Sequence, residues 1–102
     1  MGWTRVNEFV ASEGCEEELT TALTEVTEYL RNQAGCEGAQ LLISDEDEAR
    51  LLVIERWASK EAHHQALVRF PKEKMAAARQ WIAKPPHGEF FVEAGTSRRA
   101  VH

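Results

Sequence analysis

The sequence predicts an α+β domain of the split βαβ, or ferredoxin-like, type: an antiparallel sheet with helices on one face. Apolar spacing switches between strand-like and helix-like along the chain in the order β-α-β-β-α-β. The two middle strands carry apolar residues at both parities, so each of their faces asks for cover. The length, 102 residues, suits one domain, assigned to residues 1–95, with a tail at 96–102.

Trp3 to Ala11 holds Val6, Phe9 and Val10 in imperfect alternation and reads as the first strand. Ser12-Glu13-Gly14 is a turn. From Cys15 to Gln33, Leu19, Leu23, Val26 and Leu30 recur every three or four positions, the spacing of one helix face. Glu16, Glu17 and Glu18 sit where the helix dipole favours acids, and Gly35 supplies a stop. Glu37 to Ser44 is the second strand, with Leu41, Leu42 and Ile43 in succession. Asp45-Glu46-Asp47-Glu48 is a solvated hairpin tip, since a calcium loop needs a wider spread of ligands and a glycine. Arg50 to Trp57 is the third strand, through Leu51, Leu52, Val53 and Ile54. Ser59 is placed to cap a short helix that runs to about Val68. Pro71 opens another helical stretch, Lys72 to Ala83, with Met75, Ala78 and Ile82 on one side. Pro85-Pro86 ends it, and Gly88 to Ala94 is the last strand.

Composition narrows the function classes. Hydrophobic residues make up 43% and charged ones 28%, the balance of a packed domain rather than a disordered chain. Net charge is −5, from 17 acidic and 12 basic residues, which argues against binding to nucleic-acid backbones or anionic lipid. No apolar run approaches the ~18 residues of a membrane span, and Arg5, Asn7 and Glu8 break up the first strand as a secretory signal. The expected address is the cytoplasm. Cys15 and Cys36 bracket a helix, roughly 25–30 Å apart, so they are expected to be free thiols. They form no CxxC and no Cys/His cluster, and no metal site is expected. Helices cover one sheet face; a second copy packed sheet against sheet would cover the other, so a homodimer is expected.

On this framework the segment Glu55-Arg56-Trp57-Ala58-Ser59-Lys60-Glu61-Ala62, a strand end followed by a Ser cap and a Glu-Ala helix start, resembles the antibiotic biosynthesis monooxygenase (ABM) family. Gly35-Cys36-Glu37-Gly38 is similar to that family's Pro-Gly-Cys turn, with Ala34 in place of the Pro. The resemblance covers about residues 3 to 95 and implies a dimeric α+β barrel. It implies one of three roles: a cofactor-independent oxygenase of phenols or quinols, a non-catalytic module that binds a small aromatic or assists a pathway enzyme, or a haem-binding relative. For haem degradation the family's strand Asn is matched by Asn7. Its helix Trp and His fall on Ala66 and Met75, while Trp81 and His63 stand at other offsets, which disfavours that branch. For the oxygenase branch the resemblance implies a pocket between sheet and helices, lined by Trp57, a strand polar group at Asn7 and a protic helix side chain at His63. The Asn that some of these oxygenases carry shortly before the Trp is replaced by Val53.

The chemistry implied is the reaction of an aromatic anion with triplet oxygen. The protein must take a phenolic proton, hold the anion in a dry cavity and stabilise developing charge. That reaction requires no cofactor; its partners are a small aromatic substrate and oxygen. His63, at the edge of an Ala62-Ala66-Phe70 stripe, is the candidate base, with a packed histidine as the alternative. His64 is expected to face solvent. Asn7 is the candidate amide donor to a substrate oxygen, or else a satisfied strand Asn, and Trp57 an aromatic wall with an N–H donor, or else plain core. Phe9 and Met75 are candidate substrate contacts, or else core. Arg5 is the candidate that orients an anionic ring substituent, or else pairs with a carboxylate such as Glu8, Glu55 or Glu93.

Overall fold

The structure, a computed structural model, describes residues 2–95; the expected tail at 96–102 lies outside the described residues. The elements are β1 (Trp3–Val10), α1 (Glu16–Arg31), β2 (Cys36–Ile43), β3 (Arg50–Trp57), α2 (Lys60–Arg69), α3 (Lys72–Arg79) and β4 (His87–Phe91). They form the α+β ferredoxin-like fold, with one four-stranded sheet in the order β2-β3-β1-β4, every pair antiparallel. Among the described residues no helix is long and apolar enough to cross a membrane.

Local chemistry sets the joints. Gly35 takes a φ of +84°, a left-handed conformation that costs a side chain dearly, and a Cβ there would lie 2.5 Å from the Ala62 Cβ. The α1–β2 turn is thereby seated directly on α2. Ser59 caps α2 as expected: its hydroxyl accepts the Ala62 N–H at 3.1 Å. Cys15 and Cys36 are both free thiols.

Register decides the faces. Leu51, Val53, Glu55 and Trp57 of β3 are all buried and point at the helices, whereas Leu52 and Ile54 between them are half-buried and point away. Pairing aligns β1 residues Arg5, Asn7 and Phe9 with the inward set, and Val6 with the outward set. The core joins Leu51, Val53, Trp57 and Ala39 of the sheet to Leu19, Leu23 and Leu30 of α1 and Ala66 of α2. Each buried leucine contributes about 1.5–3 kcal/mol. Thr27, not Val26, takes the fourth fully buried position of α1; its hydroxyl donates to the Leu23 carbonyl at 2.7 Å, which satisfies it in the core.

Two boundaries differ from expectation by three residues or more, for one kind of reason. The last helix stops at Arg79 instead of Ala83 because the backbone beyond it pairs with the end of β1. Ser12 N–H reaches the Trp81 carbonyl and Ala83 N–H the Val10 carbonyl, both at 2.8 Å, around an Ala11–Ile82 bridge. The last strand stops at Phe91, short of Ala94, because its partner β1 runs out: Phe91 already pairs with Thr4.

Candidate active site

The inward face of the sheet and the three helices enclose a cavity of about 270 Å³. An apolar cavity of about 150 Å³ holds one benzene ring, so there is space for a fused aromatic of two rings. Phe9 and Val53 of the sheet, Val26 and Tyr29 of α1, and Met75 and Ala78 of α3 make most of it apolar. Its polar end is built by Arg5, Asn7, Glu55 and His63. Gly88 of β4 pairs with Asn7, and a Cβ there would stand 2.5 Å from Arg5 Nη2 and 2.7 Å from Asn7 Oδ1. The bare backbone at Gly88 is what lets both side chains lie across β4.

Glu55 is the hub of the polar end. It is only 5% exposed, and both carboxylate oxygens accept strong hydrogen bonds. Asn7 Nδ2 donates to Oε2 at 2.6 Å and Trp57 Nε1 to Oε1 at 2.7 Å. Those bonds repay part of the several kcal/mol that burying a carboxylate costs. Burial still pushes the Glu55 carboxyl above its ordinary range, against the opposing pull of the two bonds and of the Arg5 charge.

His63 is 8% exposed and its Nε2 lies 3.8 Å from Glu55 Oε1, beyond hydrogen-bond distance. Its ring meets Trp57 edge-on at 5.6 Å and Phe90 at 5.1 Å between centroids. Burial, with help from the Arg5 and His64 charges, pushes His63 down to about 4, so the imidazole is neutral at pH 7. His64 is exposed, as expected. Arg5 gives its Nε–H to Asn7 Oδ1 at 3.2 Å and rests on the Phe90 ring at 4.8 Å.

Five of the six expected residues line the cavity: Arg5, Asn7, Phe9, His63 and Met75. Two expectations need correction in detail. Trp57 is fully buried and does not reach the cavity; its N–H is engaged by Glu55, so it supports the site from behind. Asn7 reaches the cavity, but both amide hydrogens are taken, by Glu55 and by the Val53 carbonyl at 3.0 Å. The group left with free N–H donors is Arg5, whose Nη hydrogens bond no acceptor among the described residues. Glu55 was the residue that sequence reasoning missed as a centre. The available signal was parity: it shares the inward set with Leu51, Val53 and Trp57, where a carboxylate is out of place.

Residues 3–92 match the family model described as Antibiotic biosynthesis monooxygenase. The chain belongs to this family. Its fold recurs in solved structures of low sequence identity. Rv0793 from Mycobacterium tuberculosis is 16% identical with a TM-score of 0.82, over 95% of this chain and 99% of that one. PA3566 from Pseudomonas aeruginosa is 17% identical with a TM-score of 0.82, over 92% and 95% of the two chains. SnoaB, a cofactor-independent oxygenase from Streptomyces nogalater, is 20% identical with a TM-score of 0.78, over 94% and 96%. No protein of curated function matches the chain. Within the ABM family, then, this member lines a largely apolar chamber with a hydrogen-bonded group of Arg5, Asn7 and Glu55 beside His63.

Proposed function

We propose that this ABM-family protein is a cofactor-independent monooxygenase that oxidises an electron-rich quinol or polyketide-type phenol with molecular oxygen. The observation that carries the reading is the largely apolar cavity between sheet and helices, with the Arg5 guanidinium, the buried Glu55 carboxyl and the neutral His63 imidazole grouped in its lining. The substrate ring lies between Phe9 and Met75, with its hydroxyl toward His63 and Arg5. Neutral His63 accepts the phenolic proton, and the Arg5 guanidinium faces the resulting oxyanion.

The anion passes one electron to oxygen, and the radical pair joins to form a carbon–oxygen bond. The peroxide then takes the proton back from His63 and loses water, leaving a carbonyl. One oxygen atom ends in the product and the other in water; conversion of the ring C–H carbon that bonds oxygen, together with the phenolic C–OH, to the two carbonyls of a quinone supplies all four electrons. Phenols ionise near pH 10, so transfer to an imidazole at about 4 is uphill by about 8 kcal/mol. A cation about 4 Å from the oxyanion recovers about 4 kcal/mol at an effective dielectric of 20. Arg5 therefore meets about half of the need.

The working unit in this proposal is a homodimer. Val6, Leu42, Leu52, Ile54 and Phe91 share the outward sheet face, and Leu42 and Phe91 are 41% and 47% exposed. A second copy is the cover that such a face fits. The free thiols fit a reducing compartment, and the proposal places the protein in the cytoplasm.

Oxygen uptake on a panel of naphthol- and hydroquinone-type substrates tests the reading. The wild type consumes oxygen above the spontaneous rate, and His63→Ala lowers kcat by about 100-fold or more. Uptake at the background rate across the panel overturns it.

A further inference from the structure

His63 is asked to become a cation in a corner already rich in positive charge. Arg5 faces it from β1, and His64 and Lys60 share its helix. Arg79 of α3 lines the same cavity, as do Lys74, paired with Glu25, and His87 of β4, 3.6 Å from Glu89; Tyr29 of α1 gives its hydroxyl hydrogen to the Ala66 carbonyl. Among the described residues that line the cavity, Glu55 is the one carboxyl. It is held in place from two sides by Asn7 and Trp57, with Oε1 turned toward His63 Nε2 across 3.8 Å. A rotation of the imidazole by less than an ångström at Nε2 closes that gap to a hydrogen bond of about 3 Å.

We infer that Glu55 is the positioning residue of this site: its pinned carboxylate receives the Nε2–H of the His63 imidazolium and balances its charge when a phenol gives up its proton. This rests on the reading of His63 as proton acceptor. The roles of the other side chains follow. Asn7 and Trp57 give their N–H hydrogens to Glu55 and the Val53 carbonyl and not to the substrate, and they fix the direction in which the carboxylate points. Two inward residues that looked like direct participants in the sequence thereby act through a third.

The test is NMR of the full chain with ring-labelled histidine, titrated under argon with 2-naphthol, so that no oxidation takes place. In the wild type, 2-naphthol raises the His63 titration midpoint by a unit or more, a tenfold change in proton affinity. In Glu55→Gln the rise disappears, while the Kd for 2-naphthol stays within about threefold. An equal rise in Glu55→Gln, or no rise in the wild type, overturns the inference. Should the Gln variant fail to fold, Glu55→Asp keeps the charge one methylene further back and gives a smaller rise; a rise equal to that of the wild type overturns the role. The wild-type rise and its loss in the variant are readable without turnover. A protein that shows both but consumes no oxygen keeps the Glu55 role and loses the oxygenase reading.

Discussion

The two faces of β3 are built from neighbouring residues of similar character and end in opposite circumstances. Leu51, Val53 and Trp57 are completely covered, and the one charged residue among them, Glu55, is buried with hydrogen bonds on both oxygens. On the other face Leu52 and Ile54 are half-buried beside exposed Leu42 and Phe91, with no described helix over them. The inward face shows that a polar group enters a core only with its partners supplied. The outward face shows apolar surface left without cover from the described helices, the surface on which the proposed dimer rests. The proposed chemistry and the proposed association are therefore separated by the thickness of one sheet.

The largest effect that sharpens this contrast is expected at Trp57. Trp57→Ala empties a fully covered position and strips Glu55 of a donor, so urea unfolding is expected to show a loss of about 3–5 kcal/mol. A loss below about 1 kcal/mol would mean that the inward face is far looser than its burial indicates.

Next in size is an acid dependence confined to the inward face. The folded-state value for His63, about 4, lies below its ordinary 6.5, so folding favours the neutral ring. The associated stability is fully present above pH 6.5 and is lost as pH falls toward 4. Its full size is about 3 kcal/mol. The raised Glu55 carboxyl acts in the opposite direction, since its protonation on acidification relieves the burial of a charge. His63→Leu is expected to flatten the fall in stability between pH 7 and pH 4, followed by thermal unfolding, whereas Glu55→Gln steepens it. An unchanged slope in His63→Leu would remove His63 as the acid-sensitive group.

The smallest effect on the fold itself is expected on the outward face. Ile54→Arg leaves the inward core untouched, so the far-UV spectrum is retained while sedimentation changes from dimer to monomer. A wild type that sediments as a monomer at micromolar concentration would break the comparison from the other side.

Most of the fold was legible because its signals are local. β3 was bounded correctly at Arg50 and Trp57, since the apolar run Leu51 to Ile54, the charged turn before it and the Ser cap after it are all near one another in sequence. The ends of α3 and β4 were not, because they are decided by the two ends of β1, some 70 to 90 residues away in sequence. Within the site, Asn7 and His63 were candidates from the family resemblance and, for His63, helix phase. Arg5, Phe9 and Met75 were candidates with core packing or a carboxylate pair as the alternative; all five line the cavity. How they are occupied was not legible. The amide of Asn7 is held by Glu55 from 48 residues away, and no spacing along the chain announces that bond.

What the sequence by itself determined is the order of elements, the two-sided hydrophobicity of the middle strands and the family, since each depends on side-chain type at short periods. Only the tertiary structure decided that Glu55 is the centre and that Asn7 and Trp57 serve it from either side. Hydrogen bonds reach about 3 Å and discriminate direction. Which donor meets which acceptor is therefore settled by register between strands, after the hydrophobic pattern has already chosen the fold.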